Sequence, residues 1–164
     1  MAEPTLTEAE LNRALLARQL LLERASVPIP RALERVGGIQ AQYAPSMYIG
    51  LWTRLARFER DDLTRALERR SVVQGTLMRV TIHLVSARDY PLLAEGVKER
   101  RREGWLKAHG GRVDGRKVAA AARKARSLLS EGPRRRKELV AALGADASTW
   151  NGVGMWIDLL RAPP

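Results

Sequence analysis

Residues 72–85 read VVQGTLMRVTIHLV. β-Branched residues dominate, Gly75 interrupts near the middle, and the second arm alternates apolar and polar side chains. That period of two, bounded by a turn residue, predicts a β-hairpin with strands near 72–76 and 79–85. Everything upstream has the helical period instead. In TLTEAELNRALLARQLLLER, Thr7 followed three residues on by Glu10 fits a capping box, and Leu11, Leu15 and Leu22 with Ala14 and Leu16 make an apolar stripe. This helix should stop by Ser26, because Pro28 and Pro30 follow. PRALERVGG predicts a short second helix with Pro30 as its first residue and Gly37 as its stop. SMYIGLWTRLARF, from about Ser46, and DDLTRALERR predict two more. Short helices followed by a hairpin are the order of a winged helix, a scaffold for nucleic acid that also serves protein–protein contacts.

The second half begins the same pattern again. SARDYPLLAEGVKERRREGWLKA predicts one long or kinked helix, VDGRKVAAAARKARSLLSEG a helix closed by Gly132, and PRRRKELVAALG a helix from Pro133 to Gly144. Ser148 to Trp150 fits the cap of another helix, with a strand in MWIDLLRAPP. The returning arm of this second hairpin is missing, so the expectation is a mainly α protein with small β-hairpins: a first winged-helix unit over 1–87, then a linker helix and an incomplete second unit over 88–164. The simplest explanation of the missing arm is a truncated chain.

A length of 164 residues suits one domain or two small ones. There is no cysteine, which excludes disulfides, thiol catalysis and thiolate zinc sites, and two histidines, His83 and His109, are too few for a convincing metal centre. No cofactor is implied. With no apolar run of transmembrane length and no signal-peptide pattern, a cytoplasmic protein away from membranes is expected. The net charge of +11 is unevenly spread: residues 1–96 carry 13 basic and 11 acidic side chains, residues 97–164 carry 16 and 7. Such a basic second half suits a polyanion, and nucleic acid above all. A preference for arginine from a GC-rich coding sequence would produce the same excess.

Arg134, Arg135, Arg136 and Lys137 fall at the start of a short helix, where a helix-turn-helix meets the phosphate backbone; the arginine run 100–102 has the same two readings, phosphate contact or a solvated face. On the second hairpin arm, alternation puts Arg79, Thr81 and His83 together on an outward polar face, either an ordinary solvent row or a nucleic-acid surface. The four tryptophans, Trp52, Trp105, Trp150 and Trp156, sit among apolar neighbours and read as core.

GGIQAQYAP, residues 37–45, holds two glutamines two positions apart. Backbone hydrogen bonding in a loop is the plain reading. The chemical reading starts from geometry: in an extended segment Gln40 and Gln42 point one way and the small Ala41 the other. Two amides cannot take a proton from water near neutral pH, but they can orient one. That suffices only where the leaving group is already activated, as a cationic N-alkylated purine is. Tyr43 follows directly and is placed to stack on a displaced base.

LNRALLARQLLLER, GGIQAQY, LWTRL, RVTIHLVSARDY and WNGVGMWIDLLRAPP, in this order, resemble the AlkZ/YcaQ-type DNA glycosylases. The most specific element is glutamine, one apolar residue, then glutamine or aspartate, with a Thr-x-His-Leu segment, Thr81 to Leu84, downstream. The resemblance implies a bacterial, nucleoid-associated monomer built of three tandem winged helices and a small β-domain. Such an enzyme excises N-alkylated purines from double-stranded DNA and in some members unhooks interstrand crosslinks. Gln40 and Gln42 would be the catalytic pair. Members run to twice this length or more, so the expectation for the chain alone is weak activity or none. The alternatives are a non-enzymatic DNA-binding regulator or architectural protein, and a winged helix that contacts only protein.

Overall fold

The structure, a computed structural model, describes residues 5–163. It is mainly helical with one small three-stranded antiparallel sheet. The chain divides into two compact units, one formed by residues up to Gln74 together with Ile82–Tyr90, the other by Gly75–Thr81 and Pro91–Ala162.

In the first unit α1 covers Glu8–Arg18 and opens with the expected capping box: Thr7 N–H donates to Glu10 Oε2 at 2.9 Å and Glu10 N–H to Thr7 Oγ1 at 3.3 Å. The Thr7 N–H holds the Glu10 carboxyl below its ordinary range. The helix stops well short of Ser26, and Leu20 lies at a φ of 56°, so Leu22 falls outside it. The apolar stripe is not buried either: Leu11 and Leu15 are about half exposed and α1 contributes no buried residue. Capping, a local interaction, was readable; the partner for the stripe was not.

Helix α2 (Ile29–Val36) has Pro28 as N-cap and stops at Gly37, which takes a φ of 73°. Ile29, Ala32 and Leu33, spaced one helical turn apart, are buried. Helix α3 (Ala44–Trp52) sends Met47 and Leu51 inward, and α4 (Arg60–Glu68) sends Leu63, Ala66 and Leu67. At the start of α4 the Glu59 N–H, 2.9 Å from Asp62 Oδ2, keeps that carboxyl below its usual range. These side chains join Val72 and Leu84 in one core. The sheet consists of β1 (Ile39–Gln40), β2 (Val72–Thr76) and β3 (Ile82–Ser86) in the order β1-β3-β2, so β3 lies in the middle. Strand β1, in the segment carrying the two glutamines, pairs antiparallel with β3, Ile39 opposite Leu84 and Gln40 opposite His83.

The hairpin turn has chemistry the sequence does not announce. Arg79 and Val80 both lie at positive φ, 53° and 59°, and Thr81 N–H donates to Met78 O at 3.1 Å. This is the signature of a type I′ turn, normally Asn-Gly, built here from residues that resist that backbone. Strain is worst for the β-branched Val80. Replacing Arg79-Val80 by Asn-Gly is expected to raise stability by about 1–2 kcal/mol, measured as a shift in the denaturant midpoint with unchanged slope.

The second unit is helical: α5 (Tyr90–His109), α6 (Gly115–Ser130), α7 (Arg136–Leu143) and α8 (Ala147–Trp156). Trp105 of α5, Val118 of α6 and Met155 of α8 pack together, beside Ala122, Ala125, Val153 and Ile157. Helix α8 starts one residue before Ser148, and its cap is Asp146, whose carboxylate accepts the Thr149 N–H at 2.7 Å and is held below its usual range by it. The strand expected in MWIDLLRAPP is absent from the described residues. Met155 and Trp156 end α8, and only Leu160 makes an isolated antiparallel bridge, to Gly75; Pro164 lies outside the described residues.

The run Arg100–Arg102 is neither a uniform solvated face nor a phosphate-binding row. Arg101 is 5 % exposed; its guanidinium donates from Nη1 to the Thr76 carbonyl and from Nη2 to Asp158 Oδ1 at 3.3 Å. Arg102 stacks on Trp156 at 4.6 Å, and Arg100 remains open to solvent near Glu103. Arg101→Ala removes the partner of a carbonyl and of a carboxylate and leaves a void. It is expected to cost about 2–4 kcal/mol, whereas Arg100→Ala should stay within about 0.5 kcal/mol. Equal effects in urea unfolding would refute the assignment.

Candidate active site and nucleic-acid interface

Gly37 ends α2 and Gly38, at a φ of 94°, turns the chain into β1. Gln40 and Gln42 then flank Ala41; Ala41 is 3 % exposed while both glutamines are exposed. Ala41 N–H donates to Ile82 O at 2.7 Å, continuing the β1–β3 ladder by one residue. The return bond, however, does not go to the Ala41 carbonyl. Ile82 N–H donates instead to Gln42 Oε1, at 2.9 Å. The side chain of Gln42 thus replaces a backbone acceptor at the point where the chain leaves the sheet to enter α3. Since an N–H can only donate, the contact also orients the amide: the oxygen is engaged and the NH2 group points away from Ile82.

Gln42 therefore does what the plain reading expects, and in doing so becomes a fixed donor. Gln40 differs. Its carbonyl lies 3.1 Å from Ser46 Oγ, which is also 2.6 Å from Tyr43 O, so the backbone is pinned at the start of α3. Among the described residues no hydrogen bond holds the Gln40 amide. One oriented donor and one adjustable amide two residues apart suit a water molecule: the first can donate a hydrogen bond to its oxygen, the second can accept one from its O–H.

His83 does not stand on an outward polar face. It is 6 % exposed, and in register it is opposite Gln40 on the neighbouring strand. Directly opposed residues share a sheet face, with Cβ atoms roughly 5 Å apart. Thr81 is half-buried and donates from Oγ1 to Met78 O, whereas Arg79 at the turn is exposed. The row fails for two reasons: Arg79 lies in the turn and not on β3, and β3 is buried on both faces from His83 to Ser86. Tyr43, the residue before α3, is 71 % exposed.

In the second unit Arg134, Arg135, Arg136 and Lys137 are all exposed around the start of α7. They are not equally available. Arg134 is tied to Glu131 and to the Leu128 carbonyl, and Arg136 lies 5.8 Å from the Trp150 ring.

The model of the AlkZ-like DNA glycosylases matches residues 33–161, most of the chain and both glutamines. The chain belongs to the AlkZ-like DNA glycosylase family. Among solved structures, Streptomyces sahachiroi DNA glycosylase AlkZ has a similar fold, with a TM-score of 0.71 at 22 % identity, over 85 % of this chain and 41 % of that one. The chain thus spans less than half the length of that relative. No curated protein matches the sequence.

Two features of this AlkZ-like chain escaped sequence reasoning. The position of His83 beside Gln40 depends on strand register, which no local pattern in residues 37–43 carries. Trp52, read as core, is 54 % exposed, while Trp105 is buried and Trp150 and Trp156 are half-buried. The available hint was that α3 is apolar on all sides, more than one core can cover. Among the described residues no cluster of three or more metal-ligating side chains occurs, and no helix is long and apolar enough to cross a membrane.

Proposed function

We propose that the intact protein is a monofunctional glycosylase that hydrolyses the N-glycosidic bond of N-alkylated, cationic purines in double-stranded DNA. The observation that carries this is the exposed amide pair around the buried Ala41, with Gln42 oriented by Ile82. In the reaction the C1′–N bond breaks and its electron pair neutralises the purine. The oxygen of water bonds to C1′, and its proton passes to solvent. Neither amide needs to accept that proton, because the positive charge of the base has already made it a good leaving group. Developing charge on the sugar is met by amide dipoles, the class of stabilisation that costs no reorganisation when preplaced.

No lysine occurs before Lys98, so the first unit supplies no lysine amine for a Schiff-base lyase step; this supports hydrolysis without strand cleavage. Tyr43, Arg79, Arg135 and Lys137 are exposed and fit DNA contacts that position rather than read sequence. Thr81, His83, Arg134 and Arg136 are each engaged within the protein and fit local support better than direct contact with DNA. Unhooking of interstrand crosslinks is an extension of the same chemistry to a bulkier leaving group.

The test uses duplex DNA with a single N7-methylguanine, incubated with the intact protein and then heated in alkali. Cleavage at the lesion that requires the alkali step supports the reading. Stable binding with no free base released would favour a DNA-binding regulator or architectural protein instead.

A further inference from the structure

The outer surface of α3 carries a second feature that the amide pair does not use. Tyr48, Ile49, Trp52 and Phe58 line an apolar groove of about 270 Å³, with Arg60 at its edge. Trp52 is 54 % exposed and Ile49 59 %. The Arg24 guanidinium lies 4.2 Å from the centroid of the Trp52 ring, and that of Arg60 5.8 Å from Tyr48. Neither arginine makes an ion pair among the described residues.

That combination narrows the occupant. An apolar helix would cover the rings but strip water from two unpaired guanidinium groups, at a cost it could not return. A cationic ligand would be repelled by them. A flat, uncharged ring carrying an anionic group satisfies both halves: the ring lies on aromatic and aliphatic side chains, and the anion meets the arginines. An unpaired nucleotide has this composition.

We propose that this groove is a stacking platform for an unpaired nucleotide of the bound DNA, separate from the nucleotide that reacts. Gln42 precedes α3 and Trp52 ends it. Nine helical residues rise roughly 13 Å, so a base stacked on Trp52 is a different base from one whose sugar meets Gln42. When a glycosylase turns a base out of the stack, neighbouring positions lose their partners, and such a platform would hold one of them. The platform rests on the chain binding DNA and not on which lesion it excises.

The test is equilibrium binding of the full chain, by fluorescence anisotropy, to an undamaged duplex with one bulged thymidine and to the same duplex fully paired. Wild-type protein should prefer the bulged duplex. Trp52→Ala should lose that preference, weakening bulge binding on the order of 10-fold or more, while leaving the paired duplex almost unchanged. Trp52→Phe, which keeps a ring, should retain most of it. Arg24→Gln should weaken bulge binding at low salt and flatten its salt dependence by about one counterion. Equal affinity of wild type and Trp52→Ala for the bulged duplex overturns the proposal. So does self-association of the wild type that Trp52→Ala abolishes, which would make the groove a protein interface. A failure to excise alkylpurines leaves the readout intact, because only undamaged DNA is used.

Discussion

Gln40→Ala combined with Gln42→Ala is expected to reduce release of an N7-alkylated purine by on the order of 10³-fold or more, with the protein still folded. Gln40 is exposed, and its amide is held by no hydrogen bond among the described residues, so Gln40→Ala should leave stability within about 0.5 kcal/mol. Its effect on rate, roughly 10²-fold, then reports loss of a group acting on the reacting water. Gln42→Ala carries two costs. Removing Oε1 leaves Ile82 N–H without the acceptor now 2.9 Å away, worth about 1 kcal/mol, and loses the oriented NH2 as well. Rates should therefore be measured under single-turnover conditions with saturating protein, and urea unfolding run on each variant. If the double variant still excises at the wild-type rate, the two amides are structural and the proposed mechanism is wrong. A loss confined to Gln42→Ala, in proportion to its stability loss, would mean the same.

The second large effect is expected at Gly38. A Cβ added there would lie 2.6 Å from Val85 Cγ1 and 3.1 Å from the Leu84 carbonyl oxygen, on a backbone with a φ of 94°. Both neighbours belong to β3 and are buried, so they cannot swing aside. Gly38→Ala combines backbone strain of about 1–3 kcal/mol with overpacking of similar size. A loss of about 3–5 kcal/mol is expected. Gly37 offers the control: its φ is 73°, but a Cβ there meets nothing within 4 Å. Gly37→Ala should cost only the strain, about 1 kcal/mol. Because Gly38 sets the approach of β1 to β3, the register Gln40–His83 should be disturbed with it. Activity is then expected to fall further than unfolding alone explains, when assayed well below the melting temperature. Similar losses for both glycine variants would show that the close approach to Val85 has no energetic consequence.

Sequence reasoning succeeded where the controlling interactions are local. The Thr7–Glu10 box, the stop at Gly37, the stop at Gly144 and the two arms around the hairpin all depend on residues within a few positions of one another. It failed where a distant neighbour decides. Alternation in RVTIHLV was read from Arg79 onward, but Arg79 and Val80 form the turn and the strand begins only at Ile82; alternation also says nothing of what lies against each face, so His83 was expected outside. The run Arg100–Arg102 is uniform as text; only the fold distinguishes Arg101, which finds Thr76 and Asp158 far away in the chain, from Arg100, which finds water.

By itself, then, the order of residues determined most of the helices, the hairpin, the absence of thiol chemistry and the small Ala41 between two glutamines. Local backbone preference and hydrophobic period are short-range properties, and a linear chain displays them. Only the tertiary structure decided that Ile82 would hold Gln42 in one orientation, that His83 would stand beside Gln40, and that Trp52 would face solvent next to Arg24. Those outcomes follow from strand pairing and helix burial across dozens of residues, where contact is set by packing rather than by proximity along the chain.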